Sequence, residues 1–432
     1  MLALLNRVSI LLIFPAVALA FFIGALFYYY RGTYDPPPSE ALAIKDIKPP
    51  VSSFTTLAEP PPIHDGTLLV DAGHSNGFSQ AEVSAFLSTV AARGYTLDFL
   101  RELDGFDGGA TLDLLEEKLR GADSLVVIQP EDSYSKEEAD LVHQFVEEKG
   151  GRLLLIADPT RKHKINSLAE RFGIFFRPDY LYNLLEYDLN FQSIYVSDFR
   201  PDELTNGLGR IALYTSGSLE STGGGLAIPD ANTKSTVVES IEPLYPMVKS
   251  NQGGVVAIAD LTFMIPPQNT ILDNPRLIAN IADFLTTPQR QFDLADFPHF
   301  FSGQVDILLG RSSLLSAGAQ MKNLLSGFQL SSEIRAVDDL NRDLVYLGLY
   351  DDAFNVAQYL QLAGVQVDGE LRTPFTTAIE RQETAVAILH RSSQRRVLVI
   401  LGDTTDDVAG VLDQLESGGF RDGLVGDFVG VY

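Results

Sequence analysis

The chain contains no cysteine. A thiol nucleophile, a disulfide framework, a cysteine-ligated zinc site and an iron–sulfur cluster are therefore excluded. Tryptophan is also absent, which removes one common sugar-stacking residue. Basic residues are scarce: 32 Lys and Arg stand against 57 Asp and Glu, a net charge of −25. A chain so acidic repels a phosphate backbone, so nucleic acid is not an expected partner. The longest basic run, Arg161-Lys162-His163-Lys164, reads as a surface loop that starts a helix. The six histidines are scattered, so no metal site is expected. There is no Walker lysine and no GxGxxG glycine pattern, so no cofactor is expected either. Hydrophobic residues are not lacking. At 45 % they suffice for an ordinary core and rule out wholesale disorder. With 432 residues, at roughly 150 per domain, about two or three domains are expected.

The N-terminus carries the one long apolar run. Residues 8–30, VSILLIFPAVALAFFIGALFYYY, include no charge. At about 1.5 Å per residue a helix of that length matches a bilayer core. Three tyrosines, Tyr28 to Tyr30, and then Arg31 sit where such a helix leaves the hydrocarbon. Ala18-Leu19-Ala20 has the small-x-small form of a cleavage site, but the apolar run continues past it, which favours an uncleaved anchor. Residues 1–31 are thus expected to be a single-pass signal anchor in the cell membrane. The short N-terminal tail favours an inside N-terminus, with the rest extracytoplasmic. Residues 32–62 follow with eight prolines (36–38, 49, 50 and 60–62), the composition of an extended polyproline-like linker.

Beyond the linker the pattern is strand, helix, strand, helix. Short apolar runs at 67–70, 95–100, 124–128 and 153–157 alternate with amphipathic stretches. Ser79 with Glu82, and Ser135 with Glu138, have the spacing of capping boxes. Gly94 and Gly150-Gly151 stop the helices. A late strand at 255–259 and a helix at 274–285 complete the block. Continuous apolar strands joined by amphipathic helices predict a doubly wound, mainly parallel sheet of flavodoxin or amidotransferase type over 63–290. Residues 292–432 repeat the style as a second, smaller α/β domain. Phe297-Pro298-His299-Phe300-Phe301 is expected between them as a hinge or packing plug.

Ligands of open parallel sheets bind beyond the carboxyl ends of the strands. Polar residues gather there: Asp71, His74, Ser75 and Asn76 after the first strand, Glu131 after the third, Asp158 after the fourth and Asp260 after the late strand. Gly73 and Gly77 permit tight turns in the first of these loops. The bland alternative is that Asp71 caps loop amides and His74 packs on a neighbouring loop. Ser133, His74 and Asp71 can be drawn as a hydrolytic triad, but the G-x-S-x-G elbow is missing, and Ser133 and Ser135 read as turn and cap residues.

The segments LLVDAGHSNGFS, LVVIQPEDSYSKEEADLVHQFVEEKGGRLLLIADP, INSLAERFGIFF and GGVVAIADLTFMI with LDNPRLIANIADFL resemble, in that order, the GldG-type glutamine-amidotransferase-like domains. These occur in bacterial gliding-motility and ABC-transporter auxiliary proteins and in related membrane-anchored proteins. The resemblance covers about residues 63–290. It implies a class I amidotransferase-like fold without its catalytic cysteine, and hence binding or scaffolding. Relatives often carry a C-terminal membrane span, where this chain has its second α/β block.

Three functions are therefore weighed. The first is a non-catalytic, membrane-anchored scaffold with a ligand cleft at the strand ends and a transporter or envelope subunit as partner. The second is an envelope hydrolase using His74 and Asp71 as an acid–base pair. The third is an acidic stalk module with no site.

Overall fold

The computed structural model describes residues 2–29, 62–101, 111–239, 243–392 and 394–432, with side chains from Ile13 onward. The chain divides into two units, Met1–Phe54 and Thr55–Tyr432. In the first, α1 (Leu2–Tyr29) runs unbroken through Pro15. Its described face is apolar and open, with Phe14, Phe21 and Phe27 each about three-quarters exposed. Among the described residues no helix is long and apolar enough to cross a membrane. The proline-rich linker, apart from Pro62, lies outside the described residues.

The second unit is mixed α/β and holds two large sheets. The first is built from β1 (Gly66–Val70), α2 (Gln80–Ala91), β2 (Tyr95–Phe99), α3 (Leu112–Gly121), β3 (Ser124–Ile128), α4 (Lys136–Glu147) and β4 (Arg152–Ile156). Strands β5 (Asp198–Phe199), β6 (Gly225–Ile228), β7 (Met247–Lys249) and β8 (Val255–Ile258) and helix α5 (Asn274–Leu285) complete it. The order is β2-β1-β3-β4-β8-β7-β6-β5. The first five strands are parallel, and β7, β6 and β5 extend the sheet antiparallel. The strand order of this parallel core reverses direction between β1 and β3, which makes that crevice its switch point.

Side chains of a strand alternate between faces, and both faces here are apolar. Leu68, Val70, Val126, Ile128, Leu154 and Ile156 pack under α2 and α5 with Phe86, Leu277 and Ile281. Leu69, Leu125, Val127, Leu153 and Leu155 pack on the other side under α3 and α4 with Leu115, Val142 and Phe145. Each such side chain stabilises the sheet by about 1.5–3 kcal/mol. The capping residues hold: the Glu82 carboxylate accepts the Ser79 amide at 2.8 Å, and Ser135 and Glu138 exchange bonds of 2.8 and 3.2 Å at the start of α4. Between β4 and β8 the chain also forms short antiparallel pairings, 174–176 with 219–221, 181–183 with 233–235 and 193–196 with 211–214. These lie beyond the mainly parallel sheet the sequence leads one to expect.

The second sheet comprises β9 (Val305–Leu309), α6 (Leu315–Gly327), β10 (Ser332–Arg335), β11 (Asp343–Leu349), α7 (Ala357–Leu362), β12 (Ala385–Arg391), β13 (Arg396–Gly402), α8 (Thr405–Ser417), β14 (Leu424–Gly426) and β15 (Val429–Val431). Its order is β10-β9-β11-β13-β12-β15-β14, parallel over the first four strands. Helices α6 and α8 cover one face through Met321, Leu325, Val411 and Leu412. Phe297, Phe300 and Phe301 bury into that same core, so the aromatic segment between the blocks is a plug. Around it Lys149 bonds Asp293 and Asp296, and the Leu294 amide donates to the Asp427 carbonyl.

Arg93, just past α2, fastens the helix layer of the first sheet. It is 2 % exposed. Its Nε meets Asp283 at 2.6 Å, while Nη1 and Nη2 donate to the carbonyls of Thr89 at 2.7 Å and Ala279 at 3.0 Å. Arg93→Ala is expected to lower stability by about 1.5–3 kcal/mol, the range for hydrogen bonds to a charged group. Arg93→Lys should recover less than half of that, because one ammonium cannot reproduce the planar fork. Urea midpoints at constant slope check both.

Candidate functional site

The switch point brings the loop after β1 against the loop after β3. Asp71 and His74 are 0 % and 4 % exposed. His74 Nδ1 lies 3.0 and 3.1 Å from the two carboxylate oxygens of Asp71. The Tyr134 hydroxyl donates to Asp71 Oδ2 at 2.7 Å and the Gly73 amide to Oδ1 at 3.0 Å. Asn76 Nδ2 donates to Asp71 Oδ2 at 3.2 Å and to the Ile128 carbonyl at 2.8 Å, tying the first loop to the end of β3. The imidazole stacks on the Tyr134 ring with centroids 3.8 Å apart. Its Nε2 is buried without a hydrogen-bond partner and faces Glu138 Oε1 at 3.6 Å. Glu138 is fixed there because its other oxygen caps α4 through the Ser135 amide.

The electrostatics follow from this packing. Burial alone would raise the Asp71 pKa, but the His74 hydrogen bond and charge, with Tyr134 and the Gly73 amide, outweigh it and hold the carboxyl below its ordinary range. Burial alone would lower the His74 pKa, yet Asp71 and the Glu138 charge outweigh it and raise it. Burial, then the Asp71 charge, pushes the Tyr134 phenol well up, so it stays a neutral donor.

The backbone pays a little strain here. Ser75 and Gln129 have φ of 51° and 50°, in the left-handed region. Gly73 and Gly77 do not, so the tight turn expected of them is made by Ser75 instead. Gly77 is small for another reason: a Cβ there would sit 3.2 Å from Gln129 Cγ. The exposed Ser75 hydroxyl donates to Asp132 at 2.6 Å. The Glu131 amide donates to the His74 carbonyl at 3.0 Å, while its side chain is exposed at the edge of an open cavity.

Asp158 and Asp260 form a second buried network. The Thr262 hydroxyl donates to Asp158 Oδ2 at 3.1 Å, and the Thr262 amide donates to Asp260 Oδ1 at 2.7 Å. The Tyr214 amide donates to Asp260 Oδ2 at 2.7 Å. Burial and then the Asp158 charge drive the Asp260 pKa well up. Gln129 links the two networks: its Oε1 accepts the Asp158 amide at 2.7 Å. Of the expected site residues, Asp71, His74 and Asn76 thus meet in one cluster, Asp158 and Asp260 in another, and only Glu131 borders an open cavity. Tyr134, Glu138 and Gln129 were not singled out as site residues. The capping-box spacing marks Glu138, but nothing local marks Tyr134 as the partner of Asp71.

The Asp71–His74 pair resembles the orienting half of a hydrolytic triad, but what faces Nε2 is a carboxylate and not a hydroxyl. Ser133 is exposed on the loop and makes no bond to His74 among the described contacts. Among the described residues no group of three or more His, Asp or Glu side chains is placed to hold a metal ion.

The pair gives stability a defined pH window. His74, with its pKa raised above 6.5, contributes fully below that value, and the contribution is lost as pH rises through the raised pKa. Asp71 contributes above 3.8 and loses it as pH falls through its lowered pKa. Urea unfolding across pH is expected to show this plateau, and His74→Gln to remove the alkaline decline. Asp71→Ala should cost about 3–5 kcal/mol, since it strands a buried imidazole and phenol.

No protein-family model matches the chain, and no curated protein matches it. Among solved structures it is similar to one named "mmIFT52 N-terminal domain", at 16 % identity and a TM-score of 0.40, covering 52 % of this chain and 100 % of that one. A likeness at that level carries no argument about function.

Proposed function

We propose that the protein is a membrane-anchored, extracytoplasmic binding or scaffold protein, accessory to an ABC-type transporter or an envelope-assembly complex. The observation that carries the non-catalytic reading is the closure of the strand-end cluster. Asp71, His74, Asp158 and Asp260 are at most 4 % exposed, and their polar atoms are spent mainly on one another and on loop amides. A general base must reach its substrate directly or through one water. An imidazole sealed between Asp71, Tyr134 and Glu138 is better suited to locking two loops.

The anchor rests on the uncharged run at 8–30 and on the open apolar side chains of α1. The partner class rests on the GldG-type resemblance of residues 63–290 and on the missing cysteine. The strongly acidic surface suits a partner with a basic face and disfavours nucleic acid.

Two measurements test this. The full chain should pellet with membranes, stay there in alkaline carbonate and be released by detergent; recovery in the soluble fraction would overturn the anchor. Cross-linking in its own membranes should recover transporter or envelope subunits. Recovery of the chain alone, together with turnover of an ester, peptide or glycan that His74→Ala abolishes, would replace the scaffold with a hydrolase.

A further inference from the structure

Beside the buried cluster, at the same carboxyl edge of the sheet, lies an open cavity of about 480 Å³. That is within the usual size of small-molecule sites. One wall is apolar and partly aromatic: Phe175, Phe176, Pro178 and Tyr180. The other is the basic segment 161–164, in the loop that follows β4. It carries four basic residues in a row in a chain with net charge −25.

The four are not equivalent. Arg161 is committed, with Nη2 on Glu82 at 2.5 Å and Nη1 on the Gly77 carbonyl at 2.8 Å. His163 is half-buried against Phe176, and burial lowers its pKa, so it serves as a neutral wall. Its Nδ1 is buried with no hydrogen-bond partner. Buried polar atoms are normally satisfied, so an orphan in a cavity lining asks for a partner from outside the chain. Lys162 and Lys164 are exposed, and neither ammonium has a hydrogen bond or ion pair among the described residues. By contrast, carboxylates hold Lys118, Lys149 and Lys249. Glu131 is the acid of the lining, so two free ammoniums outweigh one carboxylate.

The segment is also rigidly placed. The Lys164 amide donates to the Pro130 carbonyl at 2.7 Å, and Gln129 Nε2 donates to the Lys162 carbonyl at 3.2 Å. Gln129 itself holds a left-handed φ of 50° at the end of β3. The ammoniums therefore project from a backbone fixed before any ligand arrives, which lowers the ordering cost of binding.

We propose that this cavity binds a small anion with a flat apolar body, an aryl carboxylate or aryl phosphate, its charge between Lys162 and Lys164 and its ring against Phe175 and Tyr180. Lysine ammoniums act as point charges and accept either anion, whereas the aromatic wall demands the apolar body. The inference deepens the binding reading of this sheet edge, and the two fail separately. The cleft titration needs no protein partner, and the cross-linking needs no small anion.

The test uses the full chain in lipid nanodiscs with phenyl phosphate, benzoate, benzyl alcohol and inorganic phosphate as probes, followed by calorimetry and saturation-transfer NMR. Phenyl phosphate and benzoate should saturate in the millimolar range or tighter and weaken with added salt. Inorganic phosphate and benzyl alcohol should each bind at least about tenfold more weakly. The double variant Lys162→Ala/Lys164→Ala should lose about tenfold or more in affinity for both aryl anions. Phe175→Ala should weaken phenyl phosphate but leave inorganic phosphate unchanged. All these side chains are exposed, and an unchanged melting curve confirms that the variants fold. Equal binding to wild type and double variant, or no saturation by either aryl anion, would overturn the proposal. Equal affinity for phenyl phosphate and inorganic phosphate would overturn its aromatic half.

Discussion

A carboxylate kept charged where water cannot reach it must be met by donors from every side, and Asp71 is placed in that position. It stands at the end of β1, between its own loop and the loop that follows the neighbouring strand β3. His74, Asn76, Tyr134 and the Gly73 amide supply the donors. Each brings its own segment with it: Asn76 reaches back to β3, Tyr134 introduces α4, and His74 stacks on Tyr134 while facing Glu138. The packing of the β1 and β3 loops follows from this one anion. The fixed course of the β3 loop then sets where Gln129 points, and Gln129 sets where the basic segment lies.

The same edge is thereby split into two chemistries. Toward β1 the polar residues are turned inward and consumed in mutual bonds. After β4 Asp158 is likewise buried and bonded, but Lys162 and Lys164 of the following segment turn outward, and their charge is left over. A sheet end that is part lock and part open wall is an economical way to make a binding surface. The buried half carries the stability, and the open half is free to vary without loosening the fold. The second sheet repeats the winding of the first over its parallel strands, and the plug of Phe297, Phe300 and Phe301 seats in its core.

The central parallel strands were legible because they are buried on both faces and so read as unbroken apolar runs, whereas the polar edge strand β10 was not. The capping boxes at Ser79 and Ser135 were legible because their chemistry is local. The antiparallel pairings between β4 and β8 were not. They consist of strands of two to four residues, too short to show a period, and their register depends on partners far along the chain. At the site, the sequence pointed to Asp71 and His74 through their place after a strand, but it could not say that they would be sealed. That depends on Tyr134, some sixty residues away, whose ring closes over them. The basic segment read as an ordinary loop because its distinguishing property, two unpaired ammoniums opposite aromatic rings, exists only once the 174–180 stretch folds across from it.

The strand that completes the parallel half of the first sheet, β8, follows its neighbour β4 only after about a hundred residues of intervening chain. During synthesis the outer edge of β4, a row of unpaired backbone amides and carbonyls on an apolar strand, is therefore made long before its mate. Such an edge is a template for pairing with other chains. A nascent chain stalled or cut within that interval would present it bare.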